Sequence, residues 1–128
     1  MKRTIIVVSL LLTSTVVSAA TFASREAAAK HARSTPVGAQ YDAALGPHIG
    51  TAMRACVPPG SSASANLGSF ALVAYVTPAG TLVSVAVEPR TKVSSCFAKY
   101  FAKSVLSKPP ATSLSSGYPI SVEMRVTQ

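Results

Sequence analysis

The stretch that decides the fold is Phe70 to Glu88, FALVAYVTPAGTLVSVAVE. Two β-rich apolar runs flank Thr77-Pro78-Ala79-Gly80, where Pro78 presets φ at the second turn position and Gly80 supplies the positive φ that closes a three-residue loop with a bulge. The stretch therefore reads as a β-hairpin. In its first run Phe70, Leu72, Ala74 and Val76 share one face, and Ala71, Val73, Tyr75 and Thr77 share the other. Both faces are largely apolar, so at least one is expected to be covered. In the second run Val83, Val85 and Val87 share a face, which Leu82 can join only through a bulge.

Working outward towards the C-terminus, Pro89-Arg90-Thr91 breaks the second strand, and Ser94 or Ser95 is expected to cap a helix running to about Ser107. Phe97, Tyr100, Phe101 and Val105 would form its apolar stripe, with Lys99 and Lys103 on the solvated side at an i, i+4 interval. Lys108-Pro109-Pro110 ends it, because the residue before a proline is pushed out of the α region. Ala111 to Gly117 is a loop. Tyr118 to Val126 then alternates Ile120, Val122, Met124 and Val126 with Ser121, Glu123 and Arg125, the pattern of a strand with one buried and one wet face.

Towards the N-terminus, Ser61 to Ser69 is a small-residue connector without a phosphate-binding pattern. Tyr41 to Val57 has helical spacing interrupted at Gly46-Pro47. Pro47 fits the first residue of a helix running through Cys56, preceded by a separate turn around Tyr41 to Leu45, and Pro58-Pro59-Gly60 stops it. The expected order is α-β-β-α-β: an α+β fold with a three-stranded antiparallel sheet and two helices packed on one face.

The first residues, MKRTIIVVSLLLTSTVVSAATFA, place Lys2 and Arg3 ahead of an apolar run and then small residues, the pattern of a secretory signal peptide. Cleavage after Ala19 or one residue later satisfies the small-residue rule, which gives a leader over 1–19 and no membrane span after processing. Residues 20–40 read as a flexible basic arm: EAAAKHAR is a strong local helix former, but it has no apolar stripe to dock, and Thr35-Pro36-Val37-Gly38 ends it. Residues 41–127 form the domain.

Loss of Lys2 and Arg3 with the leader lowers the formal charge from +8 to +6. A basic exported protein is drawn to an acidic partner or an anionic cell-surface polymer, and nucleic acid is not an expected partner there. Both cysteines, Cys56 and Cys96, lie in the exported part, where an oxidising compartment favours a disulfide. Closing a loop of this length stabilises a fold by about 4 kcal/mol in the chain-entropy model. Two cysteines 40 apart without clustered histidine or aspartate do not make a zinc site.

For catalysis the chain offers four acids, two histidines and no serine in a GxSxG elbow. No enzyme, cofactor or metal is expected.

Cys56, the Pro78-Ala79-Gly80 turn, Val85 and Val87, Cys96 opening a helix, the Pro109-Pro110 stop and the strand after Gly117-Tyr118 together resemble the C-terminal domains of the TonB and TolA group, and more closely the AgmX-type bacterial variants with a cysteine pair. The resemblance covers about Tyr41 to Thr127. It implies a non-catalytic domain of the cell envelope, periplasmic or secreted, that binds other proteins by adding a strand at an open sheet edge. The departures are the absence of a long spacer and the cleavable leader. On this expectation the terminal strand is the open edge, with Ser121, Glu123 and Arg125 facing solvent. Lys99 and Lys103 form an alternative basic surface, and the occupant is an envelope protein or a second copy of the chain. The alternatives are a secreted inhibitor or immunity-type protein acting through the Ser61 to Ser69 loop, and a basic module adhering to cell-wall or lipopolysaccharide polyanions.

Overall fold

The computed structural model describes residues 20–57 and 68–125. The leader expected over 1–19, most of the Ser61 to Ser69 connector and the end of the terminal strand from residue 126 onward lie outside the described residues. The elements are α1 (Phe22–Ala32), α2 (Pro36–Ala43), α3 (Gly46–Cys56), β1 (Phe70–Val76), β2 (Leu82–Glu88), α4 (Lys92–Phe101) and β3 (Tyr118–Met124).

The hairpin closes as its proline and glycine require. The Gly80 N–H donates to the Thr77 carbonyl at 2.8 Å, the Thr77 N–H donates to the Thr81 carbonyl at 2.9 Å, and Gly80 has φ +85°. Further along, Val73 pairs with Ala86 but Tyr75 pairs with Val83, so β2 carries one extra residue at Ser84–Val85, where Ser84 takes φ +52°. This bulge is what lets Leu82 join Val85 and Val87 on the core face: Leu82 lies opposite Val76, and Val87 lies opposite Leu72.

β3 pairs antiparallel with β1 in unbroken register, Phe70 with Met124 through Val76 with Tyr118, giving the sheet order β2-β1-β3. The fold is α+β. The core face carries Phe70, Leu72, Ala74, Val76, Tyr118, Ile120 and Val122, covered by Phe97 and Phe101 of α4 and by Tyr41 and Leu45 on the α2–α3 side. Burying each large apolar side chain of this set contributes roughly 1.5–3 kcal/mol. Phe97 stacks on Phe101 and tilts against Phe70, which holds α4 over β1 and β2.

α4 starts earlier and stops earlier than its sequence pattern suggests. Thr91, rather than Ser94 or Ser95, is the N-cap, in a reciprocal box in which the Ser94 N–H donates to Thr91 Oγ1 and the Thr91 N–H donates to Ser94 Oγ. The helix ends at Phe101, so Val105 is not on its stripe. Instead Val105 bridges to Thr81 and is two-thirds exposed, while Leu106 turns into the core and donates its N–H to the Gly80 carbonyl at 2.8 Å. A Cβ on Gly80 would sit 2.0 Å from the Leu106 carbonyl oxygen, so both the turn and its neighbour need glycine there. Cys56 at the end of α3 is bonded to Cys96 in α4, with Cα atoms 5.8 Å apart.

The N-terminal region departs most from expectation. Residues 20–40 do not form a flexible arm in the structure: α1 is capped by Thr21, whose side chain accepts from the Ser24 N–H, and it lies on the sheet face opposite α3 and α4. Thr35-Pro36 does not end a helix but begins α2, with Thr35 Oγ1 accepting the Gly38 N–H and Pro36 at the first helical position. The two helices meet so closely that a Cβ on Gly38 would lie 1.9 Å from the Ala32 carbonyl oxygen. The expected turn at Tyr41 to Leu45 is thus the end of a longer helix. The sheet has α3 and α4 on one face and α1 on the other.

Candidate interaction surface

A three-stranded sheet has two edges, and here the edges are β2 and β3. They differ in what lies against them.

β3 is buried from Tyr118 through Val122, including Ser121, which is only 6% exposed. Residues on both of its faces are covered. On the outer face the Arg33 guanidinium donates from Nη1 to Ser121 Oγ at 2.7 Å. On the core face the Tyr41 ring meets the Tyr118 ring edge-on at 5.3 Å, and the Tyr41 hydroxyl donates to the Ser107 carbonyl at 2.8 Å. Since α1 ends on one face and α2 begins on the way to the other, the corner at Arg33 to Thr35 rounds the outer edge of β3. Ser121 therefore does not belong to a solvated face, which corrects the expectation drawn from its alternation with Val122. Glu123, at the end of β3, and Arg125, just beyond it, are exposed.

β2 is different. At its turn end the Thr77 and Thr81 hydroxyls lie 2.6 Å apart, and Thr81 bridges to Val105. From Val83 to Glu88 it pairs with β1 on one side, and among the described residues no strand lies on the other. Val83, 38% exposed, stands on the outer face opposite Tyr75. The Ser84 carbonyl, turned by the bulge, accepts from Nη2 of Arg25, whose guanidinium lies 4.6 Å from the centre of the Tyr75 ring.

The basic residues expected on the helix are placed as follows. Lys99 is exposed on α4. Lys103 follows the helix, exposed, with its Nζ 5.4 Å from the Tyr100 ring centre, and Tyr100 is itself 44% exposed rather than part of the buried stripe. Lys92 is exposed in the first turn of α4. The structure thus brings Lys99 and Lys103 near each other but leaves them on a different element from Ser121, Glu123 and Arg125.

Arg25, Arg33 and Ser84 were not singled out by sequence reasoning. The two arginines sit at either end of an alanine-rich segment without periodicity, and the only pointer to their docking is the pair of N-cap threonines, Thr21 and Thr35, that bracket α1 and start α2. Tyr41 and Tyr118 have raised phenol pKa values, both mainly because burial disfavours the phenolate. Each gains a smaller contribution from a neighbour: Tyr118 for Tyr41, and Asp42 for Tyr118. Both cysteines are in the disulfide and neither is a thiol nucleophile. No helix among the described residues is long and apolar enough to cross a membrane.

Comparison of the chain with protein-family models, with curated proteins and with solved structures finds no match.

Proposed function

We propose that this is an exported, non-catalytic interaction domain of the cell envelope, which binds a partner protein by strand addition at the β2 edge. One observation carries the proposal: among the described residues no strand pairs with the outer side of β2 from Val83 to Glu88, whereas β3 is overlaid by the α1–α2 corner. Unpaired N–H and C=O groups along a strand edge form a template for an extended segment of another chain. Export is supported by the leader pattern and by the disulfide, which needs an oxidising compartment. The resemblance to TonB and TolA C-terminal domains supports the same binding style, with the edge changed from the terminal strand to β2.

A second reading is favoured by a separate observation. Lys92, Lys99 and Lys103 are exposed on or beside α4, a basic surface to which an anionic cell-wall polymer would be attracted.

Capture from a periplasmic extract on the processed protein separates the two, provided the edge is altered. In an edge strand alternate amides face outward, so of Ala86→Pro and Val87→Pro one removes a bond to β1 and the other removes an outward donor. Circular dichroism identifies the variant that stays folded. Its loss of a protein captured by the wild type, at moderate salt, is the expected result. Retention of binding by that variant, with loss on adding salt and in Lys99→Glu or Lys103→Glu, would replace strand addition with polyanion binding.

A further inference from the structure

We infer that the chain added at the β2 edge is a second copy of this protein, paired β2 to β2 in antiparallel fashion about a two-fold axis at Ala86. The inference rests on the reading of β2 as the accepting edge and names its occupant. The template is short: the bulge at Ser84 interrupts it on one side, and Pro89, which has no N–H, ends it on the other. Antiparallel self-pairing puts the axis through a residue, since only then do facing side chains lie on the same side of the sheet. With Ala86 on the axis, Val85 faces the second copy's Val87 and Ser84 faces the second copy's Glu88.

On the outer face this register joins opposite charges. Val85 and Val87 pack on the core side, so Ala86 and Glu88 point to the face where α1 lies, and Glu88 is exposed. Arg25 of α1 reaches the same place: its Nη2 donates to the Ser84 carbonyl, its guanidinium lies on the Tyr75 ring, and its Nε is buried without a hydrogen-bond partner. The second copy's Glu88, opposite Ser84, brings a carboxylate within a side chain's length of that guanidinium. Symmetry makes the contact twice, while the two Glu88 residues stay four positions apart along the strands, about 13 Å. Any strand with a carboxylate opposite Ser84 would suit Arg25. A second copy also supplies the cation that Glu88 faces, so the patch is self-complementary, as a two-fold interface requires.

The core face leaves room for the pairing. Phe97 points at the sheet and Cys96 turns towards α3, which sits over β3, where Leu45 and Ile49 share a cleft with Val122 and Met124. At about 100° per residue, Ser95, Ala98 and Ala102 therefore occupy the opposite flank of α4, above the open side of β2. These side chains are small and uncharged, and let the same flank of a second α4 approach across the axis.

Sedimentation equilibrium of the processed, disulfide-bonded protein tests the pairing. Over a concentration series the mass should rise from one protomer to two and no further, with outward amides of Val85 to Glu88 gaining protection over the same range. Glu88→Arg and Arg25→Glu should each weaken association at least tenfold. An equimolar mixture of the two variants should associate as the wild type does, because each copy then offers the charge that the other lacks. Circular dichroism checks both folds, and if Arg25→Glu unfolds, the exposed Glu88→Arg alone decides. A single-protomer mass at every concentration, or undiminished association of Glu88→Arg, overturns the self-pairing. Strand addition itself is overturned by a different result, retained capture by the folded proline variant.

Discussion

β2 and β3 are both edge strands of the same three-stranded sheet, each hydrogen-bonded to β1, yet the chain treats them in opposite ways. β3 is regular, in continuous register, and buried by a helical corner. β2 is bulged and partly exposed; α4 lies against its core face and Val105 bridges to its turn end, but among the described residues no strand pairs with its outer side. A straight, apolar strand left bare would be an aggregation hazard, so it is the one that is covered. A strand whose bulge interrupts the template can be left bare. Regularity and exposure are traded against each other, and the bulge at Ser84 identifies the edge that stays accessible.

Changes that touch one edge and not the other sharpen this contrast. The largest expected effect is a control. Cys56→Ser with Cys96→Ser should lower unfolding free energy by about 4 kcal/mol, because the crosslink limits the unfolded chain, and both edges should be affected equally in chemical denaturation.

Gly80→Ala acts only on the β2 side. The left-handed conformation and the overlap with the Leu106 carbonyl should together cost about 1–3 kcal/mol, detach residues 104–106 from the turn, and lengthen the open part of β2. Exchange at Thr81 and Leu106 reads this directly.

Ser121→Ala acts only on the β3 side. It removes the acceptor of Arg33 and should cost about 1 kcal/mol, with faster exchange in α1 and no change in β2.

The smallest effect concerns pH. Tyr41 and Tyr118 have folded pKa values raised above the unfolded value of about 10. The stability they contribute is therefore fully present below that value and falls as pH rises through their folded pKa values. Alkaline denaturation should be blunted in Tyr41→Phe, and it should loosen α2 over β3 before it affects β2.

Much of this was legible in the sequence because local chemistry and tertiary structure agree. Pro78 and Gly80 dictate the turn and α3 begins within a residue of Pro47, whereas Val83, read on one face with Val85 and Val87, is moved to the outer face by the bulge that brings Leu82 in. The two cysteines pair, as reading them in one exported domain predicts. The edges were not legible. Ser121 alternates with Val122 as a solvated residue would, and only the distant Arg33, 88 residues away, makes it a buried acceptor. Likewise α1 has helix propensity but no apolar period, so a reading based on periodicity assigns it no docking face. It docks through alanine and two arginines, which carry no period. Thr35-Pro36 was ambiguous for a different reason: the same pair can stop one helix or start the next, and only the close approach of Gly38 to Ala32 decides it.

The accessible β2 edge is tested most directly by comparing amide exchange of the free protein at Val85 to Glu88 with exchange at Ile120 to Val122. Outward amides of β2 need no opening event to meet water, whereas those of β3 lie beneath the α1–α2 corner. The account predicts that alternate amides in β2 exchange near the unprotected rate and at least tenfold faster than any amide of β3. Equal protection of both strands, or slower exchange in β2, would contradict it.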